Sequence, residues 1–520
     1  MKTHTSGLMS CLSSVLQKGT PRFARVSVSS VVNAFAVAPA LLVLAACTVG
    51  PNYVRPTADT PAAFKEMEGW KKAQPRDQEL RGKWWETFND PLLNALEEQI
   101  SLSNQSLIQA AAQFRQARAL VQSARAGYLP VVSGGASVAR GQSSSNLGGR
   151  NQGSPSPSTS HSLSVDAVWE ADLWGRVRRS VESNAAGAQA SAADLEALRL
   201  SVQAELAQNY FQLRALDAQK QLFDDSVTAY QRSLSLTQNQ YTAGVVAKVD
   251  VIQAQTQLRS TQAQALDIGV RRALLEHAIA VLIGKPASTY SLAAAPLTAS
   301  PPAIPVGIPS SLLERRPDIA AAERRMAAAN AQIGVAEAAY YPSLTLSATA
   351  GFQSSSFSNW LIAPSRFWSL GPALAQTLYD GGLRRAQTDQ AIAAYDANVA
   401  AYRQSVLTGF REVEDNLVAL RILEEEAAIQ DEAVQYARQS VALTSNQYKA
   451  GIVSYLNVVI VQANALTNER TAVDVLNRRL AASVLLIKAL GGGWTASALP
   501  TPGELAHGNA HPQPDVAQAR

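Results

Sequence analysis

The chain has 520 residues, with 45 Lys and Arg against 41 Asp and Glu, five His, four Met and two Cys. With Cys11 in the N-terminal targeting region and only Cys47 beyond it, an internal disulfide and any CxxC-type redox or zinc site are excluded. Residues 1–46 carry Lys2, Lys18, Arg22 and Arg25 and no acid, so they account for the whole formal charge of +4; the neutral remainder gives no reason to expect nucleic acid as a ligand.

From the N-terminus, a basic stretch ending at Arg25 leads into an apolar run from Val26 to Ala46. It closes on Leu44-Ala45-Ala46-Cys47, a match to the bacterial lipobox at all four positions. Small residues suit the signal peptidase, and the cysteine thiol accepts the lipid. A transmembrane anchor is the alternative, weakened by Pro39 and by Ser27, Ser29, Ser30 and Asn33. The expected mature chain starts at Cys47, with 47–90 as its N-terminal segment.

The remainder repeats itself. Leu236-Thr237-Gln238-Asn239-Gln240-Tyr241-Thr242-Ala243-Gly244 recurs as Leu443-Thr444-Ser445-Asn446-Gln447-Tyr448-Lys449-Ala450-Gly451, an offset of 207 that persists from Gly175/Gly382 to Gly284/Gly491. Upstream, Ala126-Gly127-Tyr128-Leu129-Pro130 matches Ala338-Ala339-Tyr340-Tyr341-Pro342 at an offset of 212. Two copies, 91–290 and 317–494, are joined by a Pro-rich linker over 291–316. The Ala/Pro/His tail from 495 is expected to be disordered.

Each copy begins with a helical pattern (91–127; 317–340) that Pro130 or Pro342 stops. Two strand-like runs follow. Leu163–Leu173 and Leu344–Phe352 alternate apolar and polar residues, with partners at Val131–Arg140 and Phe367–Leu378. Gly141–Ser160 and Gln353–Ser365 read as solvated loops. Runs of about 9–11 residues suit a membrane barrel. A soluble hairpin is the alternative, and Tyr128, Trp174, Tyr340, Trp360 and Trp368 at the strand ends favour a bilayer interface. Asp166, Glu170 and Asp172 fall on the polar face, which in a barrel is the lumen.

Very long helices come next. Between Arg176 and Tyr241 there is no Pro and one Gly, Gly187. Alternate steps of 3 and 4 from Leu213 to Tyr241, and from Leu420 to Tyr448, are mostly apolar, a coiled-coil seam. Return helices are predicted over Val251–Ile283 and Val458–Leu490. Gly244 and Gly451 suit C′ positions, and Asp250 and Asn457 suit N-caps. Four strands cannot close a barrel, so the chain must oligomerise; 8, 12 or 16 strands would all serve.

Six signatures run in order along nearly the whole mature chain. They are Cys47-Thr48-Val49-Gly50-Pro51-Asn52-Tyr53; Trp84-Trp85 with Phe88-Asn89-Asp90-Pro91; Asp172-Leu173-Trp174-Gly175-Arg176; Leu312-Leu313-Glu314-Arg315-Arg316-Pro317-Asp318-Ile319; Tyr379-Asp380-Gly381-Gly382; and Leu490-Gly491-Gly492-Gly493-Trp494. In these the chain resembles the TolC-type outer-membrane factors, in their lipoprotein branch (OprM- and NodT-like).

The resemblance implies a mixed α+β homotrimer whose twelve strands form one outer-membrane β-barrel, continued through the periplasm by a coiled-coil α-helical barrel. A periplasmic adaptor and an inner-membrane pump, of RND type, would complete a tripartite efflux system for small molecules. Export of protein by an ATP-driven exporter is the alternative. Only Met67 and Met326 remain in the mature chain, which speaks against Cu(I) or Ag(I) cargo. No cofactor, metal or enzyme activity is expected, since no Walker, GxSxG or HExxH motif is present.

The resemblance also assigns lipidation to Cys47 and a periplasmic gate and adaptor tip to Gly244, Lys248, Asp250, Gly451, Tyr455, Leu456 and Asn457. Asp250 matches a family aspartate whose three copies would form a carboxylate ring. Val453 and Asn457 stand where acids would strengthen that ring, which leaves Tyr455 and Leu456 as an apolar gate. Lys248 reads as a solvated tip lysine. Trp84-Trp85 and Glu314–Asp318 are expected to build a belt around mid-tunnel.

Overall fold

A computed structural model describes residues 48–57, 59–66, 82–142, 144, 156–304 and 309–506; the expected signal peptide and Cys47 lie outside the described residues. Four strands, β1 (Val131–Gly141), β2 (Ser158–Ala171), β3 (Ser343–Ser354) and β4 (Arg366–Ala375), form one antiparallel sheet in that order. Each repeat contributes one hairpin, and β2 pairs with β3 across the repeat boundary.

Helix α1 (Pro91–Ser103) starts at Asp90, whose Oδ1 accepts the N–H groups of Leu92 (3.0 Å) and Leu93 (3.2 Å). The pattern over 91–127 predicts one continuous helix; the structure breaks it at Asn104. The Asn104 side chain accepts the Leu107 N–H at 3.0 Å, capping α2 (Gln105–Ala126), and donates to the Leu282 carbonyl at 2.7 Å. A side chain that offers the backbone another partner ends one helix and starts the next.

Helices α3 (Arg176–Thr242) and α4 (Lys248–Leu282) complete the first repeat; α5 (Pro317–Ala338), α6 (Leu383–Lys449) and α7 (Tyr455–Ala489) build the second. At 67 residues, α3 and α6 are each about 100 Å long. Leu216, Phe223, Tyr230 and Thr237 recur every seven residues on α3, and all four are buried. The return helices start three residues earlier than their patterns predict.

One main core gathers where the helices of both repeats meet. Trp84, Trp85, Phe88, Leu93, Phe211, Leu213, Ile279, Tyr402, Val413 and Leu486 belong to it. Trp84 and Trp85 meet edge to face at 5.9 Å, and Phe88 lies 4.9 Å from Phe211. The expected disorder from 495 is corrected as far as residue 506 by α8 (Pro502–Ala506): Leu505 is buried against Val121, Ala185 and Ala188, and Gln122 donates to the carbonyls of Leu505 (2.8 Å) and Ala506 (3.0 Å), while residues 507–520 of that expectation lie outside the described residues. Leu505, the packing of Trp494 and Leu499 on Ala193, Ala320 and Ala321, and a Gln189 bond to the Pro500 carbonyl (2.9 Å) hold a stretch whose composition alone reads as unstructured.

Glu97 on α1 is fully buried, and neither carboxylate oxygen has a hydrogen-bond partner among the described residues. Desolvation therefore holds its carboxyl well above the usual range and favours the protonated form in the fold. The unfolded chain releases that proton above about pH 4.3, so stability is lost as pH rises from there toward the raised folded value, by up to about 1.4 kcal/mol per pH unit. Glu97→Gln is expected to raise the melting temperature more at pH 7.5 than at pH 5. Equal gains at both pH values would sink this account.

Candidate functional site

The two faces of the sheet follow from the register of the strands. Residues directly opposite share a face. One row reads Ser133, Asp166, Thr349, Ser369 and the next Gly135, Ser164, Gly351, Phe367. The alternate rows read Val132, Ala167, Ala348, Leu370 and Gly134, Val165, Ala350, Trp368. The sheet thus has a mainly polar and a mainly apolar side. Asp166 anchors the polar one, accepting from Ser164 Oγ (2.9 Å) and Thr349 Oγ1 (2.7 Å). Glu170 lies on the same side and holds Arg176 through two bonds, at 3.0 and 2.6 Å.

Asp172 is corrected: it lies past the end of β2 and is no wall residue. Its carboxylate accepts the N–H groups of Val177 and Arg178, both at 2.9 Å, where α3 begins. Asp380 does the same for α6, accepting from the N–H groups of Gly382 (3.0 Å) and Arg384 (3.2 Å). Orphan N–H groups at a helix start attract a carboxylate more strongly than a lumen does.

At the far end of the long helices, the two turns repeat one geometry. Gly244 and Gly451 both adopt φ +73°. Gly244 N–H donates to Tyr241 O and Val245 N–H to Gln240 O; Gly451 and Ile452 bond Tyr448 O and Gln447 O in the same way. This is the Schellman pattern at C′ and C″.

Asp250 and Asn457 are each the third residue of their helices, not N-caps, because Ala247 and Ser454 hold those positions. The Asp250 carboxylate reaches back to the Ala247 N–H at 3.3 Å, half of a capping box. Asn457, Lys248 and Leu456 are exposed. Lys248 has no ion pair among the described residues. Tyr455 departs from the expectation of an apolar gate residue: it is 1% exposed inside the protomer, 5.3 Å from the Tyr448 ring. Tyr448 OH in turn lies 3.1 Å from Thr237 Oγ1, which ties the second hairpin to the first.

The segments expected to form the belt carry ionic clamps. Arg316 is buried, forks onto Asp318 (3.0 and 2.7 Å), and donates to Glu412 (2.6 Å) and to the Ala489 carbonyl (3.2 Å). A second clamp escaped the sequence reading. Arg179 donates to the Val49 and Gly50 carbonyls and to Asn52 Oδ1, while Asn330 holds the Pro51 carbonyl at 2.9 Å and Tyr53 OH donates to Glu323 at 2.6 Å. The segment Val49–Tyr53 is thereby pinned to α3 and α5. The Cys47-to-Tyr53 signature was the only hint, since its partners lie more than 120 residues away.

Among the described residues no helix is long and apolar enough to cross a membrane, and no cluster of metal-ligating side chains occurs. A two-faced sheet with two unpaired edges, joined to helices about 100 Å long, defines one protomer of an outer-membrane channel that closes as a twelve-stranded trimeric barrel.

The chain belongs to the outer membrane efflux protein family, whose model matches residues 96–285 and 308–492, one segment per repeat. It is 31% identical over 465 residues to the solvent efflux pump outer membrane protein SrpC of Pseudomonas putida, covering 88% of this chain and 98% of that one. It is 30% identical over 461 residues to the toluene efflux pump outer membrane protein TtgC of the same species, covering 87% and 94%. The solved outer-membrane channel OprN superposes with a TM-score of 0.81 at 32% identity, over 86% of this chain and all of that one. The protein is thus the outer-membrane channel of an efflux pump and works with adaptor and inner-membrane pump partners.

Proposed function

We propose that this channel is the passive exit duct for small organic molecules, driven by an inner-membrane pump of the RND type. In this reading the chain catalyses nothing; the pump supplies the free energy, and the duct opens and closes at its periplasmic tip. Acylated Cys47 tethers each protomer in this reading, and the Arg179 clamp holds the segment Val49–Tyr53 that follows it in sequence. Asp166 and Glu170 keep the wall wetted from the lumen side. Solvent- and toluene-pump relatives support a small, poorly soluble cargo.

The observation that carries the gate is the arrangement of the tip. Lys248, Leu456 and Asn457 are exposed on the protomer, Asp250 is partly buried, and Tyr455 is withdrawn into the protomer. Three copies of Asp250 and Asn457 would make a polar constriction, with Leu456 as its apolar element. Asp250→Ala is expected to raise resting single-channel conductance several-fold in planar bilayers. Unchanged conductance would leave Asp250 with only its contact to Ala247.

The partner assignment is tested by cross-linking the tagged trimer in membranes and identifying what co-purifies. A proton-driven pump with its adaptor is the expected result. Recovery of an ATP-driven exporter in their place would overturn the assignment and redirect the cargo toward protein or peptide.

A further inference from the structure

Arginines withdrawn from water in this protein hold carboxylates. Arg214 and Arg272 share Asp217, Arg316 holds Asp318 and Glu412, Arg179 reaches Glu182, and Arg384 reaches Asp380. Arg470 on α7 departs from this rule. It is half-buried, its Nε is sealed from solvent with no acceptor, and its guanidinium makes no hydrogen bond or ion pair among the described residues. What it does meet is the Phe223 ring, whose centre lies 5.0 Å from Cζ. A cation half removed from water without an anion is an unmet electrostatic demand. The ring face offsets part of it and offers no hydrogen-bond acceptor to the N–H groups.

Arg470 lines a cleft of about 440 Å³ together with Phe223 on α3 and Ala263, Gln264, Asp267, Ile268 and Arg271 on α4. That volume falls in the range of small-ligand clefts. Phe223 and Ile268 are buried and belong to a small core with Leu216, Ala265 and Leu466, so the floor is apolar. Asp267 is already engaged: Arg271 donates to its Oδ2 from Nε at 3.1 Å and from Nη2 at 2.7 Å. Two arginines against one aspartate leave the cleft with one positive charge, and that charge is Arg470.

The repeat shows that helix packing does not require this arginine. Arg470 is the 207-residue counterpart of Ala263, which lines the same cleft from α4. Phe223 has Gln430 as its counterpart, and Gln430 spends its amide on Asn468. The cation and the ring under it therefore occur in one copy only, and they occur together. The cleft stands about 30 Å along α3 from its end at Thr242, well inside the helical part.

We propose that this cleft binds a small organic anion, a carboxylate or sulfonate on an apolar ring or short chain. Its anionic oxygens supply the acceptors that Arg470 lacks, and its apolar body lies over Ile268 and Ala263. The occupant is a small molecule rather than a protein. About two turns of α4 with one residue each of α3 and α7 fall well short of the roughly 20–30 residues that a stable protein interface uses on each side. Once filled, the cleft joins α4 of the first repeat to α7 of the second.

The test uses the intact trimer in phosphatidylcholine nanodiscs, with 1-naphthoate as the probe and uncharged 1-naphthamide as its isostere. Both are measured by equilibrium dialysis against empty nanodiscs. Wild type should bind naphthoate saturably, once per protomer and about tenfold more tightly than naphthamide. Arg470→Gln should weaken naphthoate binding about tenfold and leave naphthamide unchanged, and Arg470→Lys should recover part of the difference. Ala263→Phe, at an exposed position, fills the cleft from the opposite wall and keeps the arginine; it should abolish binding of both probes. Naphthoate should also raise the melting temperature of wild type and leave that of Ala263→Phe where it was.

Equal naphthoate affinity in wild type and Arg470→Gln overturns the proposal, as does the absence of saturable binding by wild type at millimolar probe. Undiminished binding by Ala263→Phe would place the probe elsewhere and overturn it too. A wild-type trimer that ignores naphthoate, yet cross-links from Gln264→Cys to a purified periplasmic adaptor, would assign Arg470 to a protein carboxylate and overturn it equally.

Discussion

Gly284→Ala and Gly491→Ala are each expected to abolish most of the assembled trimer, whereas Gly244→Ala and Gly451→Ala leave it nearly intact. All four glycines occupy the same C′ position after a long helix, with φ of +69°, +93°, +73° and +73°. The left-handed backbone costs alanine about 1–2 kcal/mol at any of them. Only the first pair faces something more. A Cβ on Gly284 would run into the Ser103 carbonyl, and one on Gly491 into the Arg315 carbonyl, while open space surrounds Gly244 and Gly451. Those two carbonyls are separated by the 212-residue offset and the glycines by 207, so one close approach is built twice, once per repeat. Relieving it means moving a packed helix end in the main core, which adds about 1–3 kcal/mol or more. Trimer yield and melting temperature on semi-native gels separate the pairs. Similar losses at all four positions would assign the whole effect to backbone conformation.

Period decided most of what could be read from the sequence. Strands alternate by two, the long seams by seven, and the repeat by 207, so the wall, the helices and the need for other protomers all followed from residue types in order. What escaped depends on partners that no period encodes, some near in sequence and some far. Asp172 carries the right polarity for the strand pattern, but its nearest demand is the start of α3 five residues on. Tyr455 belongs to an exposed turn by position and is buried by Tyr448, a residue of the preceding helix. Arg179 shows nothing in its own neighbourhood of a grip on Asn52, 127 residues earlier.

Asp217→Ala is expected to destabilise the protomer by about 3–5 kcal/mol, while Glu424→Ala, the substitution 207 residues later in the repeat, changes it by less than about 1 kcal/mol. Asp217 is 4% exposed at its side chain. It accepts from Arg214 Nη1 (3.0 Å), from Arg272 Nε (2.6 Å) and from the Ala295 N–H (3.2 Å). Arg214 also holds the Ala293 carbonyl at 2.8 Å, so these groups fasten the inter-repeat linker to α3 and α4. Removing the carboxylate strands a buried guanidinium and frees the linker together.

Glu424 has the counterpart place on α6 but is 76% exposed, 3.8 Å from Arg479, and its neighbour Arg421 turns instead to Glu66 at 2.8 Å. An exposed pair at that distance is screened by water and contributes little. Urea unfolding of the two single variants tests the contrast. Asp217→Leu combined with Arg214→Met should recover part of the loss, because the stranded charge is then gone. A double variant no better than Asp217→Leu alone would place the loss in the linker contacts at Ala293 and Ala295 rather than in the unpaired arginine. The repeat therefore preserves the helices while its ionic clamps diverge, because each copy must hold a different connecting segment: the linker in the first, residues 65 and 66 of the N-terminal segment in the second.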